Sequence, residues 1–453
     1  MERIISCPKS VATNAFFPFL SYEKKFQPFR RPGGGVKPSK KLRPISYASR
    51  RDAAIFEHYR GILAEKYEAR LLKEGLHECP IAYRNLKSEN GGGKCNIDFA
   101  KDAFDYISKE KECRVFVIDI SSYFPSISHQ NLYEVWCDLM GFDRMPDDHY
   151  AVYKAITRYA YIDREELYKE LGFIGPKPVG KGLGVGYLQH WNRIPKQLCS
   201  PKRLREIISQ RKAAGHSIVN SNQLDRGIPQ GAPISDVLAN MNLLNFDKRI
   251  ASYVESKGGY FRRYSDDIVV IIPKAHQRAR VLVKLRNELK KCGEHLEIKE
   301  SKVSVVDYFI GSENPFVWRR GTGKNGMEYL GFRFDGERVF LRDKTVSNFY
   351  RKIAIGAKAY VNSQFSRYQS LGRAEIADKI RPEEFFKKYG RVEGFELVDD
   401  YRRWTFWTYV RRARKIFGDV SKPMDGQLKS FRLIGRDRLR LAMSKLGLVG
   451  PAS

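Results

Sequence analysis

Two adjacent carboxylates, Asp266 and Asp267, sit in the run FRRYSDDIVVII, between an aromatic, basic approach and an unbroken β-branched exit. Such flanks predict strand, turn, strand, with the acidic pair at the tip of a hairpin. Two carboxylates held that close repel each other. A divalent cation relieves the repulsion best, because hard ions such as Mg²⁺ take oxygen ligands. The pair alone decides little, since Asp-Asp recurs at Asp147-Asp148 in MPDDHY and Asp399-Asp400 in LVDDY, both of which read as solvated loop or cap. A further carboxylate, Asp119, ends the apolar run VFVID within VFVIDISSYF. An unpaired buried charge is costly, and sites tend to form at the strand ends of open sheets. Asp119 could equally cap a helix starting at Ser121.

A third element is RGIPQGAPISDVLANMNLLNFD, residues 226–247. Gly227, Pro229, Gly231 and Pro233 predict a rigid loop, followed by a helix over 233–248. Gly231 has no Cβ, so a base pair or ribose could approach the backbone closely. Gln230 offers both a donor and an acceptor without charge. Taken alone, the segment is also an ordinary Gly/Pro turn before a helix.

The elements that must position these residues follow from pattern. Ile55, Tyr59, Leu63, Tyr67 and Leu71 recur at i, i+4 steps and predict a helix over 52–73. Another helix is expected around 98–107, and the run 115–120 reads as a buried strand. Residues 23–43 are basic and Gly/Pro-rich, hence loop, and GPKPVGKGLGVG (175–186) reads as a plain flexible loop. Helices are expected over 201–214 and 277–292, and from Thr345 onward the pattern is helical and basic. Seven scattered cysteines without a C-x-x-C pair give neither a zinc site nor a disulfide framework.

The chain is long enough, at 453 residues, to divide into two or three domains. Lys and Arg number 82 against 52 acids, a formal charge of +30. A surplus that large opposes compaction unless a polyanion offsets it, and nucleic acid is the expected partner. No stretch approaches the ~20 apolar residues of a membrane helix, and the N-terminus lacks a secretory core, so a cytoplasmic location is expected.

An apolar strand ending in Asp, a PQG loop opening a helix and a Y-x-D-D hairpin occur in that order. Together they resemble motifs A, B and C of reverse transcriptases. The similarity extends to KKLRPIS (40–46) in the fingers, LEIKESK (296–302) as motif D and YLGF (329–332) as the motif E turn. It implies an α+β right-hand polymerase with fingers, an RRM-like palm of antiparallel sheet plus helices, and a helical thumb. The implied division is fingers 1–110, palm 111–141 and 226–339, a connecting insertion 142–225, and a basic thumb 340–453. The implied reaction is RNA-directed DNA synthesis, with Asp119, Asp266, Asp267 and the Ile120 carbonyl holding two Mg²⁺ (or Mn²⁺) ions. Two such ions activate the attacking hydroxyl and stabilise the leaving pyrophosphate.

By the same resemblance Phe124 is a gate beneath the sugar that favours dNTPs, although a core Phe is the alternative. Arg43 clamps the triphosphate, with Lys37, Lys40 or Lys41 as candidates to assist it. Gln230 and Gly231 line the nucleotide site. Lys302 protonates the pyrophosphate or is a surface lysine. In YRRWTFWTYVRRARK (401–415), Trp404, Phe406, Trp407 and Tyr409 alternate with Arg402, Arg403, Arg411, Arg412 and Arg414. This predicts an apolar stripe in the core beside a basic face for a template–primer.

The stand-alone core with AYR (82–84) and GKCNIDFAKDAF (93–104) looks like bacterial unknown-group and abortive-infection reverse transcriptases. That likeness implies antiphage defence with a cognate noncoding RNA template and a DNA product. Group II intron-like or retron-like enzymes, or a non-catalytic RNA-binding scaffold, are the alternatives. The sequence is silent on oligomeric state.

Overall fold

A computed structural model describes residues 5, 7–26, 41–88, 91–179, 182–276, 279–310, 315–320, 326–389 and 405–450. Lys37, Lys40, Asp399, Asp400, Arg402, Arg403 and Trp404, and the side chain of Lys41, lie outside the described residues. Among the described residues, no helix is long and apolar enough to cross a membrane.

The centre is a five-stranded sheet in the spatial order Pro315–Arg320, Val303–Ile310, Cys113–Asp119, Asp267–Pro273, Tyr260–Tyr264. Every neighbouring pair is antiparallel. The unbroken β-branched run has a physical reason: Ile268, Val269, Val270, Ile271 and Ile272 are all 0% exposed. Alternate side chains enter opposite cores. Ile268, Val270 and Ile272 pack with Phe116 and Ile118 against the long N-terminal helix, while Val269 and Ile271 pack with Val115 and Val306 against the C-terminal helices. A strand covered on both faces needs no polar alternation. Each such side chain contributes about 1.5–3 kcal/mol by burial.

The first core is closed by the helix Arg50–Lys73, which buries Ile55, Tyr59, Leu63, Tyr67 and Leu71, the expected stripe. Ser49 Oγ caps its start by accepting from Asp52 N. The second core gathers Phe349, Ile353, Ala357 and Val361 from helix Asp343–Arg367, with Val410, Ala413 and Phe417 from helix Phe406–Phe417. Phe406, Trp407 and Tyr409 pack against this same core, as the stripe predicts.

Four expectations need correction. The ends of the basic segment 23–43 are strands: Phe19–Phe26 pairs antiparallel with Lys41–Tyr47. Pro44 is tolerated there because its strand lies at a sheet edge. Residues 175–186 are not a flexible loop either. Ile174–Val179 and Gly182–Tyr187 form an antiparallel hairpin in which Gly186, Gly184 and Gly182 lie opposite Gly175, Lys177 and Val179, while Pro176 and Pro178 face Val185 and Leu183. The helix expected over 233–248 is two helices, Ser235–Met241 and Leu244–Glu255, and the one expected over 277–292 is confined to Val281–Lys290. Asp147 and Asp148 lie in the first turn of helix Asp147–Thr157, in keeping with the cap alternative, and Tyr59 Oη also donates to Asp148 Oδ2 at 2.5 Å.

Residues between the two halves of the central sheet are tied to the N-terminus. The strand Ala160–Asp163 runs parallel to Phe19–Phe26 and pairs on its other side with Val219–Ser221. The chain therefore leaves the central sheet after Asp119, builds onto a second sheet, and returns to the central sheet at the strand Tyr260–Tyr264.

Candidate active site

Asp119 is the last residue of the middle strand, and Asp267 is its direct cross-strand partner. The hairpin closes on the pair Tyr264–Asp267, which leaves Ser265 and Asp266 as its two-residue tip. Ser265 has φ +58°, the left-handed conformation that a tight hairpin demands at its first tip position and that a non-glycine residue adopts at a cost. The tip is stitched to the middle strand, because Ile120 N donates to the Asp266 carbonyl at 2.9 Å. Three carboxylates from two strands are thus held at one end of the sheet.

Their electrostatics follow from that placement. Burial raises the Asp266 carboxyl above the ordinary range, and the charge of Asp119 adds to the rise while Arg43 and Lys302 oppose it. Asp267 is pushed up to about 6, first by burial and then by the neighbouring charges of Asp266 and Asp119, with Arg342 and Lys302 opposing. Lys302 Nζ lies 2.6 Å from Asp119 Oδ1. Lys302 closes a short 3₁₀ turn, Glu300–Lys302, that leads into the strand flanking Asp119.

The PQG loop meets this cluster from the side. Ser46 N, on the strand that carries Arg43, donates to the Gln230 carbonyl at 2.9 Å. Gly231 has φ +116°, and a Cβ there would sit 2.8 Å from the Ser46 carbonyl oxygen. The close neighbour that excludes a side chain at 231 is therefore the Arg43 strand itself, a reason the expected ribose contact did not supply. Ser235 Oγ donates to the Pro229 carbonyl at 2.7 Å, which locks the loop to the helix it opens. Phe124 lies on a turn bonded to the same loop, its carbonyl accepting from Ile228 N at 3.1 Å. Its half-buried ring packs edge-on against Tyr123 at 5.9 Å between centroids. Arg43 is exposed on its strand.

Asp119, Asp266, Asp267 and Lys302 are thus brought together, and Arg43 is close enough for its charge to be felt at Asp266. Phe124, Gln230 and Gly231 share one bonded pair of turns beside the Arg43 strand.

Three contributors were not anticipated. Arg263 is fully buried and makes a bidentate pair with Asp247, Nε to Oδ1 at 2.7 Å and Nη2 to Oδ2 at 2.5 Å. Its Nη1 also donates to the Ser265 carbonyl at 3.2 Å, so the guanidinium props up the hairpin tip. Burial works against that charge, but the Asp247 carboxylate outweighs it and holds Arg263 more firmly protonated than usual. Tyr83 (φ +62°) places its hydroxyl 3.4 Å from Ser265 Oγ. Arg342 adds positive charge felt at Asp267. The signal for Arg263 was its period: it shares a strand face with the buried Phe261, where a solvated arginine does not belong.

Among the described residues no group of three or more His, Cys, Asp or Glu side chains forms a ready-made metal cage. A Mg²⁺ ion needs few protein carboxylates, because water and substrate phosphate complete its shell. Asp266 and Asp267, half-buried adjacent carboxylates with raised proton affinity, are oxygen donors of that kind.

Residues 193–334 match the family described as reverse transcriptase (RNA-dependent DNA polymerase). That segment of the chain is similar to a reverse transcriptase domain. The matched residues include the PQG loop, the YSDD hairpin and Lys302, whereas Asp119, Arg43 and Phe124 join them through the strand pairings above. A comparison with curated proteins gives no match.

Among solved structures, apo telomerase from Candida tropicalis is similar at 12% identity and TM-score 0.41, over 95% of this chain and 68% of that one. The same telomerase with a TWJ fragment of telomeric RNA gives 12% and 0.39, over 95% and 62%. Its form truncated from the C-terminal domain gives 11% and 0.37, over 71% and 54%. The chain thus spans only 54% to 68% of the length of these telomerases.

Proposed function

We propose that the reverse transcriptase domain copies an RNA template into DNA at the cluster Asp119, Asp266 and Asp267. The observation that carries this reading is the register of the central sheet, which sets Asp119 directly opposite Asp267 while the Asp266 carbonyl is bonded to Ile120. Carboxylates from separate strands are what a two-cation phosphoryl transfer requires. These three aspartates and the Ile120 carbonyl would hold divalent cations, which when bound would supply charge stabilisation for the attacking and leaving oxygens. Mg²⁺ is the natural ion, and Mn²⁺ an alternative.

The chain's own residues do the rest. Arg43 is placed to bind phosphate oxygens of an incoming nucleotide. Phe124, held half-buried by the loop beneath it, limits space at the sugar and favours dNTPs. Gln230 and Gly231 border the base. Lys302, already on Asp119, is positioned to give a proton to departing pyrophosphate. Residues 1–110 act as fingers, 111–141 and 226–339 as palm, 142–225 as the connection between them and 340–453 as thumb.

The antiphage role, with a cognate noncoding RNA as template, is supported by the sequence resemblance described above. The decisive experiment is primer extension on a pre-annealed RNA template with dNTPs and Mg²⁺. The parent chain is expected to extend, while Asp266→Ala/Asp267→Ala loses at least about 10³-fold in rate and retains RNA binding. Undiminished synthesis by that variant sinks the assignment. Plaque counts with the same pair of chains, and sequencing of co-purified nucleic acid, test the defence role separately.

A further inference from the structure

The segment between the two halves of the site carries a surface that the polymerase reaction does not use. Ile174–Val179 and Gly182–Tyr187 form the hairpin, and a 3₁₀ turn, Trp191–Arg193, follows it. Between them lies an open groove of about 610 Å³ lined by Lys177, Tyr187, Leu188, Gln189, His190 and Trp191. Lys177 is built into this groove. Its Nζ donates to the Tyr187 carbonyl at 3.1 Å, and its stem crosses Gly186, where a Cβ would come within 2.7 Å of it.

Trp191 is 68% exposed, and its ring lies 5.9 Å from that of His190 at 35°. A large aromatic left mostly exposed, with the adjacent His190 ring beside it, is an unusual expense for a monomeric surface. Its surroundings say what should cover it. Residues 174–214 hold nine basic residues (177, 181, 193, 196, 202, 203, 205, 211 and 212) against the single acid Glu206. Arg193 and Lys196, directly after the tryptophan, are exposed. Exposed aromatics interleaved with cations are how proteins hold an unpaired nucleic-acid strand, by stacking bases on rings and tracking phosphates with charge. A duplex offers no free base faces to such a platform.

We infer that this groove binds single-stranded RNA outside the polymerisation site, with a base stacked on Trp191 and phosphates paired to Lys177, Arg193 and Lys196. The choice of RNA rests on the reverse transcriptase reading, since the strand still single before copying is the RNA.

The test uses the full chain and a labelled RNA of about 12 nucleotides, read by fluorescence anisotropy across a salt series. Trp191→Ala is expected to weaken binding about 5- to 100-fold, and Trp191→Tyr to keep most of it. Lys196→Ala is expected to flatten the log K against log salt slope by about 0.7. Affinity for a duplex RNA, and extension of a pre-annealed primer, should not change in the Trp191 variants.

Binding of single-stranded RNA by Trp191→Ala within about twofold of the parent overturns the inference, as does equal loss on duplex RNA or loss confined to single-stranded DNA. A change in self-association with RNA binding intact overturns it too, since the groove would then be a protein contact. Should the parent fail to extend any primer while Trp191-dependent RNA binding holds, the polymerase reading falls and this one stands.

Discussion

Lys302 Nζ lies 2.6 Å from Asp119 Oδ1, so a residue at the mouth of one strand neutralises the terminal carboxylate of its neighbour. The same ammonium that offsets Asp119 in the free protein competes with any cation there. Lys302→Met is therefore expected to lower the Mg²⁺ concentration needed for half-maximal activity. If the lysine also donates a proton to pyrophosphate, maximal rate should fall by about 10²-fold or more. A Mg²⁺ titration of single-turnover extension separates the two effects. Tighter Mg²⁺ dependence with an unchanged maximal rate would confine Lys302 to neutralising Asp119.

The hairpin carboxylates make the metal-free protein sensitive to pH. Asp267 titrates at about 6 in the fold against 3.8 ordinarily, so the folded state holds more protons than the unfolded chain between those values. A raised carboxyl stabilises below the lower value, and that contribution is lost as pH rises through the upper one. In the presence of a chelator, melting temperature should thus fall between pH ~4 and ~6 in the parent. The slope should flatten in Asp267→Asn, which is expected to be the more stable chain at pH 7, by roughly 1–3 kcal/mol. Adding Mg²⁺ at pH 7 should stabilise the parent by mass action, and the variant less. Equal responses of both chains would remove Asp267 from the cation site.

Arg263 and Asp247 form a pair with no exposure on either side chain. Removing one partner leaves a buried charge uncompensated, so Arg263→Met is expected to cost about 3–5 kcal/mol. Arg263→Met/Asp247→Leu should recover much of that stability. It should not recover activity, because the Ser265 carbonyl still lacks the guanidinium that supports it. Chemical denaturation alongside primer extension for the two chains checks this. Full recovery of both would make the pair purely structural.

The placement of the carboxylates at the centre was legible because it is written in local pattern. An apolar run ending in Asp119 and a β-branched run after Asp267 each specify a buried strand, and the sheet register then brings the two ends together. Helix Arg50–Lys73 was equally legible from its i, i+4 stripe. What stayed hidden depends on contacts distant in sequence. Gly231 gave no hint that the strand carrying Arg43 fills its empty Cβ position. Asp247 looked like one more helix residue, since nothing local marks it as the counter-ion of Arg263. The 174–187 hairpin escaped because Gly and Pro ordinarily signal loops, and a two-stranded ribbon can carry both.

Tyr83 completes the support of the tip. Its backbone is held at φ +62° by anchors on both sides: Ile81 N donates to the Arg263 carbonyl at 2.9 Å, Asn240 Nδ2 to the Ala82 carbonyl at 2.8 Å, and Arg84 grips Glu68. A tyrosine in that conformation costs about 1 kcal/mol or more, which glycine would not incur. Tyr83→Gly is therefore expected to raise the melting temperature while slowing extension, because Ser265 loses its hydroxyl partner and the site loses a half-exposed ring. Tyr83→Phe keeps the ring and the strained backbone, so it should match the parent in stability and show only the smaller loss due to the hydroxyl. Stability and rate moving in opposite directions in the glycine variant would show that the strain is retained for activity. A glycine variant that is both less stable and less active would instead make Tyr83 a packing residue, and the tip would then depend on Arg263 alone among these supports.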